Sequence, residues 1–423
     1  MADHEPPQAV ARWRLSPGWT LAILTAISTC GFIDRIVMNV LLQPIKTEFR
    51  ATDTQMGLLT GLAFAVLNVG LSLVVARVAE RSHRLRLVAV GTLLWSVATA
   101  ASGMAASFAQ LAFSRIGVGV GEAVGLPATQ SIVSDLYPRE KRTSALSVLT
   151  LAPPLGAFIG SAAGALIAEA HGWRVAFLAA AAPGVALGLL AALLIEPARG
   201  RFDDPAQAGA PIPPFGAVLA RIRDRRTLRQ LLAGSGIATA TGFGLNVFLA
   251  AFLLRRYGFS IAQAGVVAGL VSSLPAVLSV LGSGWLSDRF GKADPRAYPL
   301  VPALSLLAAG PLYMLAVTRD APWAAIVLLA AAAFVQYGYI APTYGVFQNM
   351  MHPRMRASSA AVQSVVTSLV GAGLGPLIVG ALSDRLAGGL PAALAIAAVG
   401  YVWAAGHYAL AARHIRGEWG LPV

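Results

Sequence analysis

The stretch Leu87–Ser114, LVAVGTLLWSVATAASGMAASFAQLAFS, contains no Asp, Glu, Lys or Arg. A helix needs about 20 residues to cross a hydrocarbon core of about 30 Å, so this run is long enough to cross a membrane and begin a second crossing. A second uncharged run lies at Ala297–Thr318. The whole chain follows suit: of 423 residues, 57% are hydrophobic and 12% charged, with a mean hydropathy of +0.68. That leaves too little polar side chain to cover a water-facing surface.

Breaking the chain at charged or Pro/Gly-rich punctuation gives twelve apolar segments. They run over 18–42, 54–79, 86–107, 110–136, 144–169, 173–195, 228–255, 260–287, 298–318, 322–350, 357–383 and 390–412. Lipid admits only helices or closed barrels, and these runs are far longer than barrel strands. The chain is therefore expected to be an all-α membrane protein of twelve transmembrane helices in two pseudo-symmetric six-helix bundles. The domains expected are a leader (1–17), a first bundle (18–196), a linker (197–227), a second bundle (228–413) and a tail (414–423). The first apolar segment is too long for a signal peptide and carries Asp34-Arg35, so it is read as an uncleaved helix.

The formal net charge of +13 would suggest nucleic acid in a soluble protein, but here the basic residues stand at helix ends. With the N-terminus inside, more than two-thirds of the 32 Lys and Arg residues fall on the cytoplasmic side. That bias predicts a multi-pass protein of a bacterial-type inner membrane with both termini cytoplasmic, and it requires no nucleic acid. The linker has a Pro-rich part (Pro205, Pro211, Pro213, Pro214) and then a cluster of Arg221, Arg223, Arg225, Arg226 and Arg229. It reads as a tether with a short basic surface helix; contact with anionic membrane lipids is the functional alternative. Cys30, the single cysteine, cannot form an intrachain disulfide.

The two halves repeat each other. Ala76-Arg77-Val78-Ala79-Glu80-Arg81-Ser82-His83-Arg84 follows the second segment, and Gly284-Trp285-Leu286-Ser287-Asp288-Arg289-Phe290-Gly291-Lys292 follows the eighth. Arg142-Thr143-Ser144-Ala145 resembles Arg356-Ala357-Ser358-Ser359, with Gly156/Gly160 and Gly371/Gly375 following each. Such repeats are typical of transporters that alternate access around a central site.

Four charges lie well inside spans: Asp34, Arg35, Arg115 and Glu122. A charge at the bilayer centre costs at least about 2.5–3.5 kcal/mol, so such residues face a cavity or each other. Arg115 and Glu122 are two helical turns apart on one face, and Glu122 and Asp34 fall at similar depth. A carboxyl exposed to an opening cavity and then to an approaching arginine is a workable proton switch. Two permanent ion pairs fastening the helices, or anion binding by Arg35 or Arg115, are the other readings. In the loops, Asp288 can pair with basic residues opening the next helix or crossing from the eleventh, and Arg77, Arg81 and Arg84 can do the same around Glu80.

The chain resembles the major facilitator superfamily and, within it, the spinster-type transporters. The likeness rests on the loops around Glu80 and Asp288, and on Ser114-Arg115-Ile116-Gly117-Val118-Gly119-Val120-Gly121-Glu122-Ala123 followed by Ser134-Asp135-Leu136-Tyr137-Pro138. Phe32-Ile33-Asp34-Arg35, Pro44-Ile45-Lys46 and Trp95-Ser96-Val97-Ala98-Thr99 complete it. The chain departs from the family at Glu80, His83, Leu85 and Asn68. The resemblance implies that Asp34 and Glu122 carry protons with Arg35 and Arg115 as partners. It also implies that Arg77, Glu80, Arg81, Arg84, Asp288 and Arg289 form a cytoplasmic gate, and that the cargo is a lysophospholipid-like, amphipathic anion.

Softer candidates for the cargo path are Phe243, Asn246, Gln336, Tyr337 and Tyr344, with Tyr339, Asn349 and Gln363 beside them, because polar groups in apolar helices face neighbours or a cavity. Any anion would lean on Arg35 or Arg115, since the second half's spans carry no charge well inside them. The six histidines are scattered without metal-ligand spacing, and the Gly-rich run lies within a span, so neither a metal, a nucleotide nor another cofactor is expected. No nucleophile or catalytic pair marks an enzyme. A small organic-anion or sugar-acid carrier and an uncoupled facilitator are the alternatives, and a monomer is expected because the path lies within one chain.

Overall fold

The computed structural model describes residues 16–63, 65–66, 69–71, 82–138, 141, 145–146, 148–149, 151–198, 215–352 and 355–419. They are helical almost throughout, and among the described residues there is no strand. Among the described residues, nine helical stretches are long and apolar enough to cross a membrane. The other three expected segments are each interrupted. Segment 54–79 runs into residues outside those described, 144–169 begins among such residues, and 110–136 is broken in its middle.

The chain divides into two compact units, Met1–Leu41 with Val66–Gly209 and Leu42–Ala65 with Ala210–Val423. The first unit contains α1 (Pro17–Val40). Across the boundary lie α2 (Leu42–Phe49) and α3 (Asp53–Gly57), the latter continued by a π-helical turn at Leu58–Leu62. The first unit resumes with α4 (Arg84–Gly103), α5 (Phe108–Glu122), α6 (Gly125–Leu136), α7 (Ala152–His171) and α8 (Trp173–Ala192). The second unit holds α9 (Phe215–Asp224), α10 (Arg226–Tyr257), α11 (Ile261–Gly291), α12 (Ala297–Val317), α13 (Pro322–Gln336) and α14 (Ile340–Met350). It ends with α15 (Arg356–Val366), a π-helical stretch at Thr367–Gly373, α16 (Leu374–Arg385) and α17 (Gly389–Glu418).

Small residues decide which helices approach closely. A methyl group added at Gly160 on α7 would lie 2.9 Å from the Ile33 carbonyl oxygen on α1, and one at Gly164 would lie 2.7 Å from a Val37 methyl. α7 therefore lies against the stretch of α1 that carries Asp34 and Arg35. In the second unit Gly371 and Gly375 play the same part toward α10, at Thr239 and Gly244. Without a hydrophobic drive between helices in lipid, such close contact is what holds them.

The start of the second segment in each half is fixed by the same device. Thr52 caps α3, accepting from the Gln55 N–H while Gln55 Oε1 accepts from the Thr52 N–H. Ser260 and Gln263 do this for α11. Gln55 and Gln263 are separated by the same spacing as Glu80 and Asp288, so the sequence repeat runs from the cap to the loop motif.

Leu42–Ala65 precedes the sixth apolar segment by far, yet it clusters with the second unit, and polar bonds show why. Asp53, only 2% exposed, takes Arg255 Nη1 and Nη2 at 2.7 Å each, Lys46 Nζ at 2.7 Å and the Ser383 hydroxyl at 2.7 Å. Asp384 in turn accepts from the N–H groups of Asp53 and Thr54. Burial alone would raise the Asp53 carboxyl; Arg255, Lys46 and Ser383 outweigh it and hold it at about 2. Asp53 is thus a fixed anion at any physiological pH.

Two expectations follow for thermal unfolding of the purified protein in detergent. Gly160→Val should lower the midpoint by about 1–3 kcal/mol equivalent through overpacking, while Gly406→Ala, with nothing within 4 Å, should be close to neutral. Asp53→Asn should destabilise toward the lower end of about 3–5 kcal/mol, because Arg255 and Lys46 remain about a quarter exposed and can rehydrate. Asp53 has a depressed pKa, so its stabilisation is fully present above the unfolded value of 3.8 and is lost as pH falls through about 2. The gap between wild type and Asp53→Asn should therefore be flat from pH 5 to 8 and close only in that acid window.

Candidate functional site

The four charges predicted inside the membrane meet within the first unit, in two crossed pairs. Asp34 and Arg35 are neighbours on α1 and diverge by about 100° around the helix, so they reach different partners. Arg115 Nη2 lies 2.9 Å from Asp34 Oδ2, Arg115 Nη1 donates to Asp34 Oδ1 at 3.1 Å, and the Thr99 hydroxyl donates to the same Oδ1 at 2.7 Å. Two turns along α5, Glu122 Oε2 accepts from Arg35 Nε at 2.6 Å and pairs with Arg35 Nη2. Asp34 is fully buried and Arg115 is 6% exposed, its guanidinium near the Phe177 ring.

The pairs are not equivalent. Asp34 is held from α4 and α5 together, whereas among the described residues every bond to Glu122 comes from Arg35, whose side chain is 38% exposed. The second carboxylate oxygen, Glu122 Oε1, is buried without a hydrogen-bond partner and faces Gly31 of α1. A buried acceptor with no donor is a place where a proton can reside. Gly121 lets α5 approach α4 here: a methyl there would lie 2.6 Å from the Trp95 backbone nitrogen.

Glu122 is also the last residue of a half-helix. The segment expected as one helix over 110–136 is broken between α5 and α6 at Ala123-Val124, where the glycine run has lowered helix propensity. The corresponding segment of the second half, 322–350, is broken at Tyr337–Tyr339, directly after Gln336. Interrupted helices at matching places in two repeats mark the binding region of many transporters.

Around the second break the polar groups are neutral. Gln336 Oε1 accepts from the Tyr313 hydroxyl at 3.0 Å and from the Tyr401 hydroxyl at 2.5 Å, leaving its buried Nε2 without a partner. Asn246 Nδ2 donates to the Tyr337 oxygen at 3.2 Å, and Asn246 Oδ1 accepts from Ser272 at 3.2 Å. Thr239 and Tyr339, and Thr343 and Tyr408, form two further hydroxyl pairs. Of the sequence candidates, Gln336, Asn246 and Tyr337 are engaged between helices, while Phe243 and Tyr344 are 47% and 42% exposed.

The loop candidates separate. Arg77, Glu80 and Arg81 lie outside the described residues. Arg84, 3% exposed, pairs with Glu196 at 2.7 Å and with Asp135, and donates to Ser131 at 2.8 Å, tying the start of α4 to the end of α6 and to the chain beyond α8. Among the described residues Asp288 accepts from the Tyr298 hydroxyl at 3.2 Å rather than from a basic group, and Arg289 lies over the Trp285 ring. The ion pair at that end is Asp294 with Arg416, at 2.6 and 3.0 Å, and Arg416 holds the Asp294 carboxyl below its usual range. Sequence reasoning missed Asp53, Glu196 and the tyrosines Tyr313 and Tyr401. Thr99 and Asp135 stood in the quoted motifs without an assigned role.

The Major Facilitator Superfamily profile matches residues 24–376. An MFS-type efflux pump of Mycolicibacterium smegmatis is 30% identical over 366 residues, covering 86% of this chain and 84% of that protein. Protein spinster homolog 1 of Xenopus tropicalis is 27% identical over 392 residues, covering 86% and 72%. The crystal structure of a bacterial homolog to the human lysosomal transporter Spinster, described as inward-facing and unoccupied, superposes with a TM-score of 0.89 at 27% identity. It covers 96% of this chain and 99% of that one. With two sets of membrane helices, a broken fourth segment in each and buried charge between α1 and α5, the chain belongs to the Major Facilitator Superfamily of membrane transporters and is related to its spinster members.

Proposed function

We propose that this transporter is proton-coupled, works by alternating access, and moves a lysophospholipid-like or other amphipathic organic anion across a bacterial-type inner membrane with both termini in the cytoplasm. The observation that carries the proposal is the unequal pair of pairs. Arg115 and Thr99 hold Asp34 in place, whereas Glu122 depends on one partly exposed arginine.

Arg35 can serve only one anion well at a time. When an anionic cargo draws its guanidinium away, Glu122 is left buried without a counter-ion, and a proton neutralises it instead. Competition for one guanidinium thereby links cargo occupancy to proton occupancy, and Arg115 keeps Asp34 as a fixed reference charge beside it. Within the second unit, the neutral hydroxyl and amide groups around Gln336 and Asn246 and the exposed rings of Phe243 and Tyr344 have the chemistry of a path for uncharged and apolar groups.

Proteoliposomes loaded with a pH-sensitive dye test this, with lysophospholipids added first and small organic anions second. Wild type should show cargo-dependent proton flux, Glu122→Gln should lose it by at least tenfold, and Asp34→Asn should impair it, with both variants still melting as folded proteins. Cargo uptake without proton movement would make the chain a facilitator, and unchanged flux in Glu122→Gln would remove the proposed proton site.

A further inference from the structure

The arginine cluster running from α9 into the first turn of α10 takes no part in the proposed cycle, and its setting points to a partner. The short helix α9 buries Val218 and Ile222 on its inner face, and Arg221 lies 3.4 Å from the Met350 carbonyl oxygen, so the helix is pinned along the second unit. Its flank is uncovered: Phe215 is 54% and Leu219 46% exposed, and both lie next to the exposed Arg223 around the helix. Arg226 and Arg229, also exposed, stand in the first turn of α10, at the end of a stretch long and apolar enough to span the membrane.

An apolar flank bordered by arginines, at the level where a span leaves the hydrocarbon, has the chemistry of an interfacial amphipathic helix. Two carboxylates stand nearby. Asp224 pairs with Arg223 at the surface, and Glu418 is occupied by the Arg226 and Thr227 N–H groups, which it caps. Five arginines against these two acids leave a local positive excess; burial first, and then neighbouring Arg225, disfavours charge on Arg221.

We infer that α9 and the first turn of α10 form a binding surface for anionic phospholipid, with Phe215 and Leu219 set among the upper acyl chains and Arg223, Arg226 and Arg229 on the headgroup phosphates. The surface depends on the membrane-spanning fold and not on proton coupling. Each arginine near an anionic bilayer surface strengthens binding by about fivefold, and the attraction is screened over about a Debye length.

Native mass spectrometry of the purified full chain tests this, with phosphatidylglycerol and phosphatidylcholine supplied in competition. Wild type should retain phosphatidylglycerol preferentially. The Arg223→Gln/Arg226→Gln/Arg229→Gln variant should lose that preference by about fivefold for each arginine removed, and the corresponding triple Lys variant should keep most of it. Equal retention of the two lipids by wild type, or an undiminished preference in the Gln variant, would overturn the assignment. Neither result depends on transport, so the lipid surface and the proton-coupled cycle fail or stand separately.

Discussion

Water is absent from the bilayer core, and a charge placed there must find its own compensation. That constraint sorts the charged residues of this chain. Nearly all stand at helix ends, and the four well within spans meet as Asp34 with Arg115 and Arg35 with Glu122. Much of the first unit can be understood as what lets these pairs form. Gly160 and Gly164 bring α7 against α1 beside Asp34 and Arg35, Gly121 brings α5 against α4, and Thr99 on α4 completes the shell of Asp34. The arrangement leaves Glu122 Oε1 without a hydrogen-bond donor, and Asp34 Oδ2 with only the ion-pair contact of Arg115 Nη2.

The second unit has the same skeleton with different chemistry. Its fourth segment breaks after Gln336 as that of the first breaks after Glu122, and its glycines bring α16 onto α10 as those of α7 approach α1. Where the first unit has charge, the second has Tyr313, Tyr401, Tyr337 and Asn246 in neutral hydrogen bonds. The repeated scaffold thus carries buried charge in one copy and neutral polar groups in the other. The permanent ion pairs have a separate place: Asp53 with Arg255 and Lys46 is a fixed anion and cannot serve as a proton carrier near neutral pH.

Much of this was legible from residue order. Uncharged runs gave the spans, and the rarity of buried charge singled out Asp34, Arg35, Arg115 and Glu122, because the penalty for burying charge leaves a strong trace in sequence. The crossed pairing was not legible, since adjacent residues on one helix can pair in either sense. Hydropathy also hid the breaks after Glu122 and Gln336, which change hydrogen bonding without changing composition. Asp53 and Glu196 were invisible because each stands at the edge of a segment, where a carboxylate is unremarkable until its partners arrive from distant parts of the chain. Tyr313 and Tyr401 passed as apolar residues although their hydroxyls anchor the Gln336 network.

The central claim is that cargo and Glu122 compete for Arg35, so that cargo binding is accompanied by proton uptake. The most direct measurement is the proton exchange that accompanies cargo binding to the purified protein in weakly buffered detergent solution. The account predicts uptake of about one proton per cargo bound by wild type, and none by Glu122→Gln that still binds cargo. Cargo binding by wild type without proton uptake, or equal uptake by Glu122→Gln, would contradict it.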